Sequence, residues 1–309
     1  MHIKKYLGIL IFSLFAITTF GQSLVELGIP CTDSHEELKP LRELVDQDLQ
    51  AQLMVQLKAN RKWRKLIDNK KMSVGLVDLR DLENVKFAQI NGSNMVYAAS
   101  LPKIAVLLAS MDAIEKGELQ ETAEVKKDMR LMIAKSNNQA TTRMIDRIGF
   151  EKIKSVLMDP KYELYDENHG GGLWVGKRYA AAGKRLPDPM NGLSHGATVE
   201  QVSRFYYLLA HGQLVCSDRS QQMLNIMADP KLHHKFVNTL DRIAPEARVF
   251  RKSGSWRDFH SDSALVWGPD RKYILVALLE DSEGESIIRK LVLDVEKVLD
   301  NTCDDTSNG

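Results

Sequence analysis

The 309-residue sequence has little of what marks metalloproteins, nucleic-acid-binding proteins or disulfide-rich scaffolds. It contains three cysteines and no CxxC, HxHxD or HExxH pattern that could hold a metal. Lysine and arginine number 42 against 41 aspartates and glutamates, so the net charge is +1 and no overall field draws the chain to a polyanion. The composition therefore indicates no cofactor, no metal and no nucleic-acid partner.

Long apolar runs are absent after the first 21 residues. An apolar stretch over residues 6–20 follows Lys4 and Lys5, a layout typical of a secretory signal peptide. The stretch is short for a membrane span, which needs about 20 residues, although a single membrane anchor is the alternative. We expect residues 1–21 to be removed and the mature chain to be exported, to the periplasm or outside the cell, without stable membrane insertion. Nothing indicates an oligomer, so a monomer is the default expectation.

The order of predicted elements suggests a mixed fold in one catalytic domain, residues 22–309. A helix over 35–67 precedes a strand pair, 72–80 and 83–93, and three consecutive strands between 247 and 280 precede a closing amphipathic helix. We expect an α+β sandwich whose five-stranded antiparallel sheet is covered by the terminal helices on one face. The sheet lobe would comprise about 35–98 and 245–303. An all-helical lobe, about 99–244, would cover the other face, with the site between the lobes.

A serine and a lysine three residues apart stand at the start of a strongly apolar segment. Ser100 and Lys103 fit the pattern S-x-x-K in AASLPKIAVLLAS, which is predicted to be helical to about Lys116, where Gly117 would end the helix. Residues three apart share a helix face, and the free N–H groups of a helix N-terminus favour developing negative charge. The pair could be a nucleophile and its base. It could equally be a helix cap beside a solvated lysine.

Two further short motifs follow along the chain. KSNNQ supplies S-x-N at Ser136 and Asn138 between two predicted helices, where a hydroxyl can relay a proton and an amide can bind an amine and a carbonyl. RKSGSW supplies Lys252, Ser253 and Gly254 on a predicted strand, where a lysine can hold a carboxylate and a glycine lets a substrate backbone approach. Taken singly, the first is an ordinary helix cap and the second an ordinary strand.

Together the three motifs carry a family resemblance. S-x-x-K, S-x-N and K-S-G, in this order on a helix, an interhelical loop and a late strand, resemble the penicillin-recognising serine hydrolases, above all the class A β-lactamases. MIAKSNNQATTRMIDRIG and RKSGSWRDFHSDSALV look like the family's helices and its active-site strand. The resemblance implies the two-lobed fold described above and a serine hydrolase that cleaves an amide bond in a small β-lactam or peptide-like substrate.

The resemblance also implies how the acyl group is transferred. Ser100 would be the acyl-accepting nucleophile, Lys103 its general base and Ser136 the relay that carries a proton to the leaving amine. A lysine titrates near 10.4 in solution. Lys103 must therefore have its pKa lowered by burial and by the second cation, Lys252.

The remaining motif residues would bind the substrate. By the same resemblance, Asn138 would bind the substrate's amide side chain, while Lys252 and Ser253 would hold its carboxylate beside Gly254. The backbone N–H groups of Ser100 and Ser255 would form the oxyanion hole.

The match fails where the family places the base that releases the acyl group. Class A β-lactamases use a glutamate in an E-x-x-L-N pattern on a loop before the SHGATVEQ helix, and this sequence has no such pattern. The acids in or near the corresponding loop are predicted to be solvated charges; they are Glu163, Asp166, Glu167 and Asp188. The loop itself, 165–196, is long and rich in glycine and proline, and such loops are usually functional or poorly ordered.

Smaller departures and rival motifs leave further alternatives. Asn137 stands where the family usually has aspartate, which would loosen the internal bonding of its loop. His260 stands where an arginine is common, and a histidine there would bind a carboxylate less firmly at neutral pH. GLSHG places Ser194 in a G-x-S-x-G pattern, but the preceding residues suggest a loop rather than the strand that such an elbow needs. Cys31 and Cys303 flank the terminal helices and could pair in an oxidising compartment.

Three functions are therefore compatible with the sequence. The first is a class A-like β-lactamase that deacylates by another route. The second is a peptidase or esterase-type serine acyl-hydrolase acting on D-Ala-containing peptides or another periplasmic amide or ester. The third is a binding protein that shares the fold and has little turnover, although the intact set of Ser100, Lys103, Ser136 and Lys252 argues against it.

Overall fold

A computed structural model of the chain describes residues 28–31 and 38–304, with side chains described up to residue 301. The predicted signal peptide, residues 1–21, lies outside this range. The side chain of Cys303 does too, so its pairing with Cys31 stays a prediction. Cys31 itself is buried, and its thiol lies 3.7 Å from the carbonyl oxygen of Ser217.

Ten helices and ten strands make up the part of the chain that is described. The helices are α1 (Gln47–Ala59), α2 (Arg61–Asp68), α3 (Lys103–Glu115), α4 (Ala123–Ala134), α5 (Asn138–Ile148), α6 (Phe150–Leu157), α7 (Val199–Ala210), α8 (Ser217–Met227), α9 (Phe236–Ile243) and α10 (Gly284–Asp304). The strands are β1 (Met72–Asp78), β2 (Lys86–Ile90), β3 (Val96–Tyr97), β4 (Tyr165–Asp166), β5 (Gly171–Gly172), β6 (Trp174–Val175), β7 (His195–Ala197), β8 (Arg248–Trp256), β9 (Phe259–Trp267) and β10 (Lys272–Glu280). Within these ranges no helix combines the length and apolar composition that crossing a bilayer would require.

The predicted five-stranded antiparallel sheet is confirmed, with strand order β2-β1-β10-β9-β8. Between its charged ends, the run KYILVALLE is continuously apolar because β10 is buried on both faces. Side chains alternate across a strand. Ile274, Val276 and Leu278 therefore join the core beneath the helical lobe, while Leu275 and Leu279 join the core beneath α1, α2 and α10. Strand β8 forms the edge of the sheet that borders the helical lobe.

The first helix differs from its prediction. The sequence pattern suggested one helix over 35–67, but the described part of that range contains a short 3-10 turn, Leu41–Leu44, followed by α1 and α2. Asn60 separates the two helices because its backbone is extended and its side chain accepts hydrogen bonds from the N–H groups of Lys62 and Trp63. An N-cap of this kind starts a new helix.

The segment 165–196 is more regular than its composition suggested. Strands β4 and β5 pair with each other, and β6 pairs with β7, which also pairs with β3 just before Ser100. Lys177 and Arg185 form an isolated antiparallel bridge within the loop between β6 and β7. These short ladders attach the segment to the strand that leads into the nucleophile motif, and so they place it against the candidate site.

Candidate active site

Ser100 lies in a tight turn between β3 and α3. The preceding residue, Ala99, has a positive φ of 52°, an unusual conformation for a residue with a Cβ atom, and such strain concentrates at functional sites. Helix α3 begins at Lys103, one turn after Ser100, and the Lys103 N–H reaches the Ser100 carbonyl at 3.3 Å. Almost every residue of α3 is buried. The helix therefore holds Lys103 deep between the lobes.

The S-x-N motif contacts Lys103 from the junction of α4 and α5. The Lys103 Nζ donates to the Ser136 carbonyl at 2.6 Å and to Asn138 Oδ1 at 2.7 Å, and it lies 3.4 Å from Ser136 Oγ. Ser136 has a φ of 53°, a second strained position. Asn137, expected to weaken this loop, caps α5 through a hydrogen bond from the Ala140 N–H.

The K-S-G strand closes the arrangement. Lys252 Nζ donates to Ser136 Oγ at 3.0 Å and to the Ser253 carbonyl at 2.5 Å. A Cβ atom added to Gly254 would lie 2.6 Å from the Ser100 nitrogen and 2.4 Å from the Ala98 carbonyl oxygen, so only glycine fits. Ser255, next along β8, is exposed. The structure thus brings the three sequence motifs into one site.

Burial changes the protonation of the two site lysines. Both side chains are almost completely buried. Desolvation lowers the pKa of Lys103 to about 7. Burial, followed by the nearby positive charge of Lys103, lowers the pKa of Lys252 well below its ordinary value. Two ammonium groups that share Ser136 as a partner cannot both be charged without cost, so the site favours one neutral amine near neutral pH.

Comparison with known proteins identifies the family of the chain. A family model described as the β-lactamase enzyme family matches residues 58–130 and 122–299, which is most of the chain. The chain belongs to the β-lactamase enzyme family. A search of curated proteins returned no match.

Solved structures of family members share the fold at low sequence identity. A β-lactamase from Sphaerobacter thermophilus is 16% identical with a TM-score of 0.61, covering 81% of this chain and 95% of its own. A class A β-lactamase from Bacteroides cellulosilyticus is 15% identical with a TM-score of 0.61, covering 83% and 100%. A mutant of PBP-A, solved as an acyl-enzyme complex with penicillin G, is 17% identical with a TM-score of 0.60, covering 85% and 100%.

An aromatic residue that sequence analysis missed covers Lys103 on the side facing the 165–196 segment. The ring of Tyr179 lies 4.5 Å from Lys103 Nζ, and the Tyr179 hydroxyl donates to the Ala99 carbonyl at 3.1 Å. His195 packs against the Tyr179 ring at 4.2 Å, and burial lowers the pKa of His195 to about 4, so this imidazole is neutral. Tyr179 and His195 line a cavity of about 500 Å³, and Asn138 and Trp256 also form part of its wall.

The loop acids considered as replacements for the missing glutamate are engaged elsewhere. Glu163 forms ion pairs with arginines, Arg42 and Arg204, and Asp166 pairs with His169. Asp188 was expected to be solvated, but it is buried, because it accepts hydrogen bonds from the hydroxyl of Tyr165 and from backbone N–H groups of its own loop. Glu167 is exposed, as expected.

A third buried lysine lies behind the K-S-G strand. Lys235 immediately precedes α9, and its ammonium group bonds to Gly254, Ser255 and Ser261. No local pattern in HHKFVN distinguishes Lys235 from a solvated lysine, so only tertiary structure reveals it. His260 pairs with Ser255 across β8 and β9, and burial lowers the pKa of its imidazole, which leaves it uncharged at neutral pH.

The rival serine, Ser194, lines the same cavity, but among the described residues its hydroxyl makes no hydrogen bond to Lys103, Ser136 or Lys252. Ser194 precedes β7 rather than following a strand, and its hydroxyl lies 3.2 Å from Nδ1 of the neighbouring His195. His195 Nε2 is held by the Lys177 carbonyl at 3.0 Å, which fixes the ring within the segment. The strand-to-turn geometry of a nucleophile elbow is therefore missing at Ser194.

Proposed function

We propose that the protein is a serine hydrolase acylated at Ser100, most simply a class A-like β-lactamase that opens the amide bond of a β-lactam. The observation that carries the proposal is the continuous set of hydrogen bonds from Lys103 through Ser136 to Lys252, beside the turn that presents Ser100. This set joins a base, a proton relay and a cation at one point.

Acylation starts with Lys103 as its neutral amine. Burial lowers the pKa of Lys103 to about 7, so a substantial fraction is neutral at physiological pH. The neutral amine takes the proton of the Ser100 hydroxyl as its oxygen attacks the substrate carbonyl. Ser136, within reach of both lysines, then delivers a proton to the departing amine nitrogen.

Substrate binding uses the edge of β8 and the start of α5. Asn138 presents its amide beside Lys103, where it can bind an amide group of the substrate. Lys252 and Ser253 supply a cation and a hydroxyl for a carboxylate. The N–H groups of Ser100 and Ser255 would hold the oxyanion, and one such donor is worth about 10²–10³ in rate.

One observation favours the second candidate, a serine acyl-hydrolase of the D-Ala peptidase or esterase type with weak β-lactam turnover. Tyr179 covers the face of Lys103 toward the 165–196 segment. Among the ion pairs and hydrogen bonds of the described residues, none joins a carboxylate to Lys103 or Tyr179. A water molecule on this side would have no carboxylate base, so the acyl-enzyme would be released slowly.

We also propose that the protein works after export, as a monomer on a small-molecule substrate. The sequence of residues 1–21 supports export, and the helices described offer no membrane span. Export would place the site where β-lactams and peptide amides of the cell envelope are found.

The decisive test is intact-protein mass spectrometry of the mature protein mixed with penicillin G, sampled from milliseconds to hours, with Ser100→Ala alongside. An adduct that disappears as free penicilloate accumulates would support the β-lactamase. A lasting adduct that is absent from Ser100→Ala would support the acyl-hydrolase with weak β-lactam turnover. No adduct at any time would contradict both forms of the proposal.

A further inference from the structure

Lys235 is a buried cation placed behind the strand that borders Ser100. Its side chain is 0% exposed. Its Nζ donates to the Gly254 carbonyl at 2.5 Å, to Ser255 Oγ at 2.8 Å and to the Ser261 carbonyl at 3.0 Å. All three acceptors belong to β8 or β9, so the ammonium group is anchored to the pair of strands at the site rather than to α9.

The charge of Lys235 is not cancelled by a direct partner. The nearby carboxylate of Asp262 is held by Arg251, with N···O distances of 2.7 and 2.8 Å. Across the described residues no carboxylate lies within ion-pair distance of the Lys235 ammonium group. Charge-assisted hydrogen bonds to neutral acceptors are roughly twice as strong as neutral ones, so the positive charge acts mainly on these three oxygens.

The backbone of Lys235 is also strained. Its φ of 55° and ψ of −124° belong to a region that residues with a Cβ atom rarely occupy. Such conformations are energetically unfavourable and persist only where the surroundings enforce them. A fully buried lysine in a strained conformation is doubly unfavourable, which indicates that its position serves the site it touches.

The geometry points to Lys235 as a positioning residue that strengthens the oxyanion hole through the Gly254–Ser255 peptide. In a planar trans peptide the C=O and N–H point in opposite directions. Lys235 binds the Gly254 carbonyl at one end of this peptide, and the Ser255 N–H is the other end. A cation on the carbonyl polarises the peptide, which makes the N–H a stronger donor.

A second chain of contacts holds the same peptide in register with the nucleophile. Ser261 Oγ donates to the Ala98 carbonyl at 2.8 Å. A Cβ atom at position 254 would lie only 2.6 Å from the Ser100 nitrogen, so only glycine lets β8 run this close to Ser100. Lys235 binds Gly254 and Ser261 together. It therefore fixes the Ser255 donor relative to the Ser100 donor, and both would bind one oxygen atom in the transition state.

This inference rests on the proposed acylation of Ser100, and the carbonyl stretch of the acyl-enzyme tests it. Penicillin G labelled with ¹³C at its β-lactam carbonyl is mixed with wild type and with Lys235→Met, and infrared difference spectra of the ester carbonyl are compared. Weaker hydrogen bonding moves the stretch to higher frequency. We expect an upward shift in Lys235→Met and an acylation rate constant about 10-fold lower, since the donor is weakened rather than removed.

Two further variants separate this role from a general effect on folding. Lys235→Gly removes the cation while accepting the positive φ, and it should show the same upward shift. Lys152→Met removes another mostly buried lysine, one paired with Asp112 and Glu118 on the helical lobe, and should keep the wild-type band.

Each outcome decides a different question. An unshifted band in both Lys235 variants, even with slower acylation, would overturn the inference and leave Lys235 a structural role. Failure of both Lys235 variants to fold would do the same. Absence of any penicillin adduct on the wild type would overturn the proposed function itself, and this inference with it.

Discussion

The two sides of the Lys103 ammonium group differ sharply. On one side its Nζ contacts oxygen atoms of Ser136 and Asn138, and Lys252 donates to the Ser136 hydroxyl. Toward the 165–196 segment it meets the ring of Tyr179, backed by neutral His195. The polar side places two amines and a hydroxyl within hydrogen-bonding distance, whereas on the aromatic side no carboxylate of the described residues contacts Lys103 or Tyr179. Given the proposed acylation of Ser100, we expect the acyl-enzyme to form faster than it is released.

Removing the Lys103 amine is the strongest test of the polar side. We expect Lys103→Met to lower the acylation rate constant by about 10³-fold, because a positioned general base contributes about 10²–10⁴-fold. Stopped-flow or quenched mass spectrometry with penicillin G measures this rate. Lys116→Met, at the exposed end of the same helix, should acylate normally. Unchanged acylation in Lys103→Met would show that another group is the base.

The aromatic side is tested by giving it a carboxylate. Tyr179→Glu should speed release of the acyl group by about 10²-fold relative to Tyr179→Gln, because only the glutamate can act as a general base for water. Acyl-enzyme lifetimes from time-resolved intact mass measure the difference. Equal lifetimes in the two variants would mean that this face of Lys103 lies away from the path of water.

The pH dependence of acylation tests the role of the Lys103 amine without a mutation. Burial lowers the pKa of Lys103 to about 7, and only the neutral amine is a base, so the rate should rise with pH through 7 and level off above it. Between pH 6 and the plateau we expect roughly a tenfold increase in kcat/KM. A rate that falls over this range would contradict Lys103 as the base.

The smallest expected effect concerns the loop that supports the polar side. Asn137 caps α5, so Asn137→Ala should lower the free energy of unfolding by about 1 kcal/mol. Asn137→Asp keeps an acceptor and should be close to wild type. Urea unfolding of the two variants measures the difference. Equal loss in both variants would contradict the capping hydrogen bond as the source of the stabilisation.

Local patterns predicted much of the fold. The sequence pattern predicted β8, β9 and β10. The signal is clearest in β10, whose residues 273–279 form a continuous apolar run because that strand is buried on both faces. The stop at Gly117 was also correct, since its φ of 71° ends α3 in a conformation that glycine adopts easily. The single helix predicted over 35–67 was wrong, because an asparagine at position 60 can cap a new helix as readily as it continues one.

The candidate site likewise combines residues that local sequence predicts with residues that it does not. Ser100 and Lys103 share one short motif, so their spacing in sequence alone keeps them within one turn of each other. Tyr179 reaches Ala99 across 80 positions of sequence, and Lys235 reaches Gly254 across 19, through contacts that no local spacing encodes. Asp188 was misjudged partly for the same reason, since the Tyr165 hydroxyl that bonds to it lies 23 positions away in sequence.

The sequence by itself determined the order of the elements, the family resemblance and the identity of the motif residues, because these depend on periodicity and on residue type at fixed spacing. Only the tertiary structure decided which side of Lys103 is polar, that Tyr179 lies on its other side and that Lys235 is buried behind Gly254. Those facts depend on burial and on contacts between distant segments, and burial is what changes the chemistry of a lysine.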